Sequence, residues 1–98
     1  MDKAPPLTAH ARKHIRDQKR ILDEAHRLLK KGIVDDRLRK SLSAAGISFD
    51  ILKNLHKVTT KDRAIVEKLL LHEWERLHDH SREFFDTTQV DKLFDELD

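Results

Sequence analysis

The stretch TTKDRAIVEKLLLHEWERLHDHSREFF, residues 59–85, decides the fold class of this chain. Thr59 and Asp62 have the spacing of a capping box, with Asp in place of the usual Glu, and therefore mark the start of a helix. Apolar residues then recur every three or four positions and form one broad band: Ile65, Val66, Leu69, Leu70, Trp74 and Leu77. The pattern predicts a long helix at the centre of the core, with Trp74 as a core anchor. It leaves open whether that helix continues unbroken to Phe84 and Phe85.

A second long helix is predicted over residues 9–31. Thr8 is a suitable N-cap, and Lys30-Lys31-Gly32 combines positive charge in the last turn with a glycine that ends the helix. Its inward stripe is predicted to contain Ile15, Ile21 or Leu22, Ala25, and Leu28 or Leu29.

Length and composition indicate an all-α protein. The chain has 98 residues, which suits one domain, and it contains only two Gly and two Pro. We therefore expect a compact bundle of four or five helices with a central helix-turn-helix-like pair. Residues 1–7, which include Pro5-Pro6, should be an irregular lead-in, and residues 8–98 a single helical domain.

The central pair is predicted between the two long helices. Asp35 or Asp36 can cap a short helix that runs to Ala45, Gly46 interrupts the chain, and Ser48 can cap a second short helix to about residue 57. In this spacing, residues 38–57 resemble the helix-turn-helix of bacterial repressors and activators. They depart from it at position 42, a leucine where a small residue is usual, and at position 41, a serine where an apolar residue is usual.

The resemblance implies that the second short helix contacts DNA. Phe49, Lys53 and Asn54 near the start of that helix, and Lys57 nearer its end, would then meet base edges or phosphates. Arg12 and Arg16 of the basic first helix would contact phosphates beside them. The other interpretation is structural, since any helical domain can place a glycine between two helices. The sequence leaves both open.

The C-terminal segment QVDKLFDELD, residues 89–98, predicts a short acidic helix capped by Thr87 or Thr88. Its narrow apolar stripe must find an apolar surface, either on its own bundle or on a partner. The candidate partner-binding residues are Val90, Leu93, Phe94 and Leu97.

Charge changes sign along the chain. Residues 1–31 contain 9 Lys or Arg against 4 Asp or Glu, whereas residues 61–98 contain 6 against 11. Basic and acidic helices can pack side by side in one bundle, or a basic face can serve an acidic partner. The first arrangement is the simpler expectation.

Seven histidines raise the question of a metal site. His10 and His14 share a helical face, as do Glu75 and His78. No second Glu-x-x-His is present, and Arg76 stands where a zincin would need its second His. We therefore predict no metal site and expect His78 and His80 to face solvent or acidic neighbours.

Nothing in the sequence points to a reaction. The chain has no Cys, no nucleophile elbow and no glycine-rich phosphate loop. We expect a small non-enzymatic regulatory or adaptor protein that binds another macromolecule, with a protein partner or self-association favoured over nucleic acid. A helix-turn-helix transcriptional regulator is the alternative. No cofactor, small-molecule substrate or membrane partner is expected, and the cytoplasm is the expected compartment.

Overall fold

The computed structural model describes residues 4–48 and 59–98, which form four α-helices and no strand. Helix α1 spans Ala9–Lys30, α2 spans Asp36–Ala44, α3 spans Thr60–Phe84 and α4 spans Thr87–Leu97. The all-α bundle is confirmed with four helices in these ranges. Most of the second short helix of the predicted central pair lies outside the described residues.

The long helices begin where their capping residues predict. Thr8 Oγ1 accepts a hydrogen bond from the N–H of Ala11 at 3.0 Å. The Thr59 side chain accepts from the N–H of Asp62, and the Asp62 carboxylate accepts from the N–H of Thr59, both at 3.1 Å. This reciprocal pair satisfies two backbone donors that a helix start otherwise leaves free. From there α3 continues unbroken to Phe84.

The predicted cap of α4 is wrong. Asp86, rather than Thr87 or Thr88, is the N-cap, and its carboxylate accepts a hydrogen bond from the N–H of Gln89 at 3.1 Å. The N–H of Asp86 donates to the carbonyl of Pro5 at 2.9 Å, which ties the lead-in to the start of this helix. That contact between distant parts of the chain is not visible in local sequence.

Both glycines end helices, as predicted. Gly32 and Gly46 have φ of 74° and 78°, in the left-handed region that side chains disfavour. After each glycine, the N–H of an isoleucine returns to a carbonyl in the last helical turn at 2.9 Å, which is the bond of a Schellman motif. Of these two residues, Ile47 is buried and Ile33 is half-buried.

The core lies where α1 packs against the other three helices. Helix α1 runs antiparallel to α3, since His26 approaches Glu67 at one end and Lys19 approaches Trp74 further along. The predicted stripe of α1 is confirmed, with Leu22 buried and Ile21 half-buried. The buried apolar residues are Leu7, Ile15, Leu22, Ala25, Leu28, Leu29, Leu38, Leu42, Ala45, Ile47, Val66, Leu70, Trp74, Val90, Leu93 and Phe94.

The apolar band of α3 is only partly buried. Val66, Leu70 and Trp74 face the core as predicted, but Ile65 keeps 41% of its surface exposed, so its predicted inward position is wrong. The apolar residues of the band spread around more of the helix circumference than α1 and α4 cover. Those at its margin therefore remain exposed. None of the described helices is apolar over a length sufficient to cross a membrane.

Candidate interaction surface

The apolar stripe of α4 packs inside this chain's own bundle. Val90, Leu93 and Phe94 are 0%, 1% and 2% exposed, and Leu97 is half-buried against the same core. In this conformation the three buried side chains are covered. Their predicted role in partner binding stays a prediction, and it requires α4 to leave the bundle.

Aromatic and polar contacts hold α4 against α3. The Phe94 ring lies between Trp74 and His78, with centroid distances of 4.4 Å and 4.5 Å. Trp74 Nε1 donates to Asp98 Oδ1 at 2.8 Å, and His78 Nε2 lies 2.7 Å from Asp91 Oδ1. These contacts involve the middle of α4 and its C-terminal end.

The lead-in and α1 also contact this assembly. The N–H of Leu7 donates to Gln89 Oε1 at 2.8 Å, and the Leu7 side chain is buried. Lys19 Nζ lies 5.1 Å from the centroid of the Trp74 ring, within the range of a cation–π contact. Helix α4 is thus held by α3 and by the lead-in, and Lys19 of α1 contacts the Trp74 ring on which Phe94 packs.

The predicted DNA-binding residues divide between described and undescribed parts of the chain. Phe49, Lys53, Asn54 and Lys57 lie outside the described residues, and DNA reading by this segment stays a prediction. Within α1, Arg12 is half-buried and Arg16 is exposed. Arg16 lines a shallow groove together with Glu96 of α4, so part of the basic surface lies beside an acidic residue of the opposite end.

The histidines are dispersed. His10 and His14 are exposed on α1, and His26 Nε2 lies 4.0 Å from Glu67 Oε1. The His80 ring contacts the edge of Phe84 at 4.9 Å between centroids. Among residues 4–48 and 59–98, no three His, Asp or Glu side chains are grouped so that they could hold a metal ion.

A contiguous exposed surface runs along α3 on the side opposite its buried residues. We call it the outer face of α3. We define it between residues 61 and 79, where at about 100° per residue its members fall within about 120° of arc and are all exposed: Lys61, Ala64, Ile65, Lys68, Leu71, His72, Glu75 and Asp79. Beyond Asp79, exposed Arg82 and Glu83 continue the same arc. Leu71 keeps 59% of its surface exposed, and together with Ile65 it borders a shallow groove.

The charges of this face are segregated along the helix. Lys61 and Lys68 lie in the N-terminal half, whereas Glu75 and Asp79 lie in the C-terminal half. None of the four is paired with an oppositely charged side chain in the part of the chain that the structure describes. Their charge is therefore available to another molecule.

The exposed charges on α1 and at the start of α2 differ from those of the outer face of α3, because several form ion pairs with residues close in sequence. A hydrogen bond from a neighbouring cation lowers the pKa of three carboxyls below the ordinary value: Asp17 beside Lys13, Glu24 beside Arg27, and Asp35 beside Arg37. On α3 itself, Glu73 pairs with Arg76 at 2.9 Å. Arg76 lies about 20° beyond the line of Ile65, just outside the edge of the outer face.

Leu71 also borders a groove between α1 and α3. The floor of this groove is apolar, with Leu22, Leu70 and Trp74, and its volume is about 310 Å³. Lys19 and His26 are among the polar residues at its edge. The most exposed large apolar side chain on the described surface thus stands between a groove and the outer face of α3.

No protein-family model matches this sequence, and neither a curated protein nor a solved structure is significantly similar to it. Any function must therefore be inferred from the residues and contacts of the chain itself.

Sequence reasoning missed Leu71 although a signal was present. Leu69, Leu70 and Leu71 are consecutive, and consecutive residues of a helix point about 100° apart, so the three cannot all face one core. Leu70 is buried, Leu69 is half-buried and Leu71 is exposed. A triple of apolar residues in a helix predicts that one of them faces outward, without saying which.

Proposed function

We propose that this chain is a small non-enzymatic adaptor or regulatory protein that binds another protein through the outer face of α3. The observation that carries the proposal is the exposure of Leu71, at 59%, on a surface whose charged residues have no ion-pair partner in the described ranges. Exposed leucines occur singly on many proteins, so it is the combination with unpaired, segregated charge that distinguishes this surface.

The outer face belongs to a well-supported helix. Val66, Leu70 and Trp74 fix the opposite side of α3 in the core, and the capping box at Thr59 fixes its start. Contacts with α4 hold its C-terminal half. Binding to a surface that is already ordered costs less conformational entropy than binding to a segment that must fold first.

The chemistry of the face suits a helical partner. Leu71 lies at one edge and Ile65 at the other, and the charged residues run between them. A helix laid along α3 can contact positions three and four residues apart and can match each half of the face with the opposite charge. Charge complementarity of this kind selects the partner and its direction.

This assignment differs from the candidate residues named from the sequence. The sequence left open whether the C-terminal helix packs on its own bundle or docks on a partner, and its apolar residues pack within the bundle. The outer face of α3 needs no rearrangement to be reached. We therefore assign partner binding to α3 and a structural role to α4.

Site-specific photo-cross-linking tests the proposal. A photoreactive amino acid replaces Leu71, and in a control it replaces Lys92, which is also exposed but lies on α4. In extracts of cells that make the protein, we expect a protein adduct from position 71 that is absent at position 92. The charge reversal Glu75→Lys in the same chain should reduce its yield. Equal yields at positions 71 and 92, or no adduct at either, would refute the assignment.

A further inference from the structure

We infer that the outer face of α3 binds the same face of a second copy of this chain, with the two α3 helices antiparallel. This inference rests on the proposed function and names its partner. It predicts a two-fold axis that passes between Leu71 and His72. Symmetric pairs of this type require a self-complementary surface, in which residue i meets residue j and residue j meets residue i.

The charges of the face meet that requirement. Lys68 lies three residues before Leu71, and Glu75 lies three residues after His72. An antiparallel pair centred between Leu71 and His72 therefore places each Lys68 opposite the other copy's Glu75. Helical geometry puts both on the same line along α3, since seven residues make about two turns.

The outer charges follow the same symmetry. Asp79 lies seven residues after His72 and therefore opposite Ala64 of the other copy. Lys61 precedes Ala64 by three residues, a rise of about 4.5 Å, which the long lysine side chain spans. Between residues 61 and 79, each half of the face thus meets the opposite charge. Arg82 lies level with Lys61 of the other copy, but its guanidinium is 3.3 Å from Asp91 of its own chain.

The apolar residue nearest the axis supports the pairing. A two-fold axis across the interface keeps each edge of the face on its own side, so Leu71 meets Leu71 of the other copy. His72 meets His72 of the other copy in the same way, on the opposite side of the line that Lys68 and Glu75 form along α3. The side chain with the largest exposed apolar fraction would then be covered.

A parallel pair does not fit these charges. It would place Lys68 beside Lys68 and Glu75 beside Glu75, and like charges in contact oppose association. The segregation of charge along α3 therefore favours the antiparallel direction.

The contact should be weak. A single helical face offers less area than the roughly 1,200–2,000 Å² of a standard stable interface. We expect a dissociation constant on the order of 10 μM or weaker, with further weakening by salt, because the ion pairs are exposed.

Sedimentation velocity over a concentration series measures this association. The monomer of 11.5 kDa should give way to a species of twice that mass as concentration rises. Lys68→Glu alone and Glu75→Lys alone should each weaken the dimer about tenfold or more, since each puts like charges in contact. The double variant restores both pairs and should recover the dimer. Circular dichroism checks that each variant keeps its helices.

Two cysteine variants test the direction of the pair in a chain that has no native cysteine. His72→Cys places two thiols close to the axis, within the reach of a disulfide, which forms under glutathione disulfide. Glu75→Cys places them about 10 Å apart along the antiparallel helices and should not form an intermolecular disulfide. A parallel pair would let both variants form one.

The outcomes separate the two proposals. Wild-type protein that stays monomeric at high concentration, a dimer insensitive to Lys68→Glu, or efficient cross-linking of Glu75→Cys would each overturn the second-copy inference. If position 71 nevertheless cross-links specifically to a different protein, the proposed function stands and only the inference fails. If position 71 gives no specific adduct and no dimer forms, both fail.

Discussion

Helix α4 and the outer face of α3 differ in what covers their apolar residues. The pattern of α4 fits either a docking element or a helix that packs on its own bundle, and Val90, Leu93 and Phe94 are buried within its own chain. The band of α3 has the pattern of a core helix, yet Ile65 and Leu71 remain exposed. An apolar stripe shows that a helix buries one face against an apolar surface. It does not show whether that surface belongs to the same chain or to another molecule.

The difference has a physical origin in the surfaces available. Helix α4 follows α3 after a short connection and returns along it, where Trp74 and His78 offer flat rings to Phe94. Helix α3 is contacted by α1 and α4 on one side only, so apolar residues on the opposite side find no cover among the described helices. Experiments that remove α4 or alter each surface test this contrast.

Removal of residues 87–98 should have the largest effect. It exposes the surface that three buried apolar side chains cover, and each such side chain contributes about 1.5–3 kcal/mol. Their sum is comparable to the roughly 5–15 kcal/mol that stabilises a typical domain. We expect the truncated chain to lose its cooperative thermal transition, as followed by circular dichroism. A truncated chain that melts like the full chain would return α4 to the role of a docking helix.

Substitution of one apolar residue on each surface should give the second-largest change in stability, and the change should come from α4. Phe94→Ala should lower the free energy of unfolding by about 3–5 kcal/mol, because it leaves a cavity between Trp74 and His78. Leu71→Ala should change it by less than about 0.5 kcal/mol, since an exposed side chain leaves no cavity.

Urea denaturation of both variants at low protein concentration measures these changes. Low concentration is needed because association of the folded chain would add apparent stability through Leu71. Similar losses for the two variants would mean that Leu71 is packed as Phe94 is, and the contrast between the surfaces would disappear.

Asp98→Ala should have a smaller effect than Phe94→Ala. It removes the acceptor of the Trp74 Nε1 hydrogen bond of 2.8 Å but leaves the rings in contact. We expect a loss of about 1 kcal/mol, because water can replace part of the bond at this half-buried site. Trp74 is the only tryptophan, so its emission reports the change directly and should shift to longer wavelength. Unchanged emission and stability would show that this contact does not hold α4.

Local patterns predict the helices well. The caps at Thr8 and Thr59 and the stops at Gly32 and Gly46 each depend on residues within a few positions of one another, and the structure has all four. The burial of α1 follows the same logic, since its stripe is narrow enough to fit one contact surface.

What the sequence does not predict depends on distant residues. Asp86 begins α4 while its own N–H reaches Pro5, and Leu7 enters the core beside Gln89. The exposure of Leu71 likewise depends on where α1 and α4 stop covering α3. The candidate site belongs to this second group, because a surface is defined by what does not pack against it.

Glu24→Gln on α1 should have the smallest effect and sets the scale for exposed charges. Arg27 lowers the pKa of Glu24 through a hydrogen bond of 2.6 Å, and both side chains are exposed. Because this pKa is lower in the folded chain, the ionised carboxylate adds stability above its unfolded-state pKa. That increment is lost as the pH falls through the folded-state pKa. We expect a slight loss of stability at neutral pH, since exposed pairs contribute little, and convergence with the wild type as the pH falls through the folded-state pKa of Glu24. Urea denaturation at several pH values measures this, with Glu83→Gln as an exposed control that has no ion pair among the described residues. A difference that grows on acidification would contradict the expected sign and would remove the ion pair as its cause.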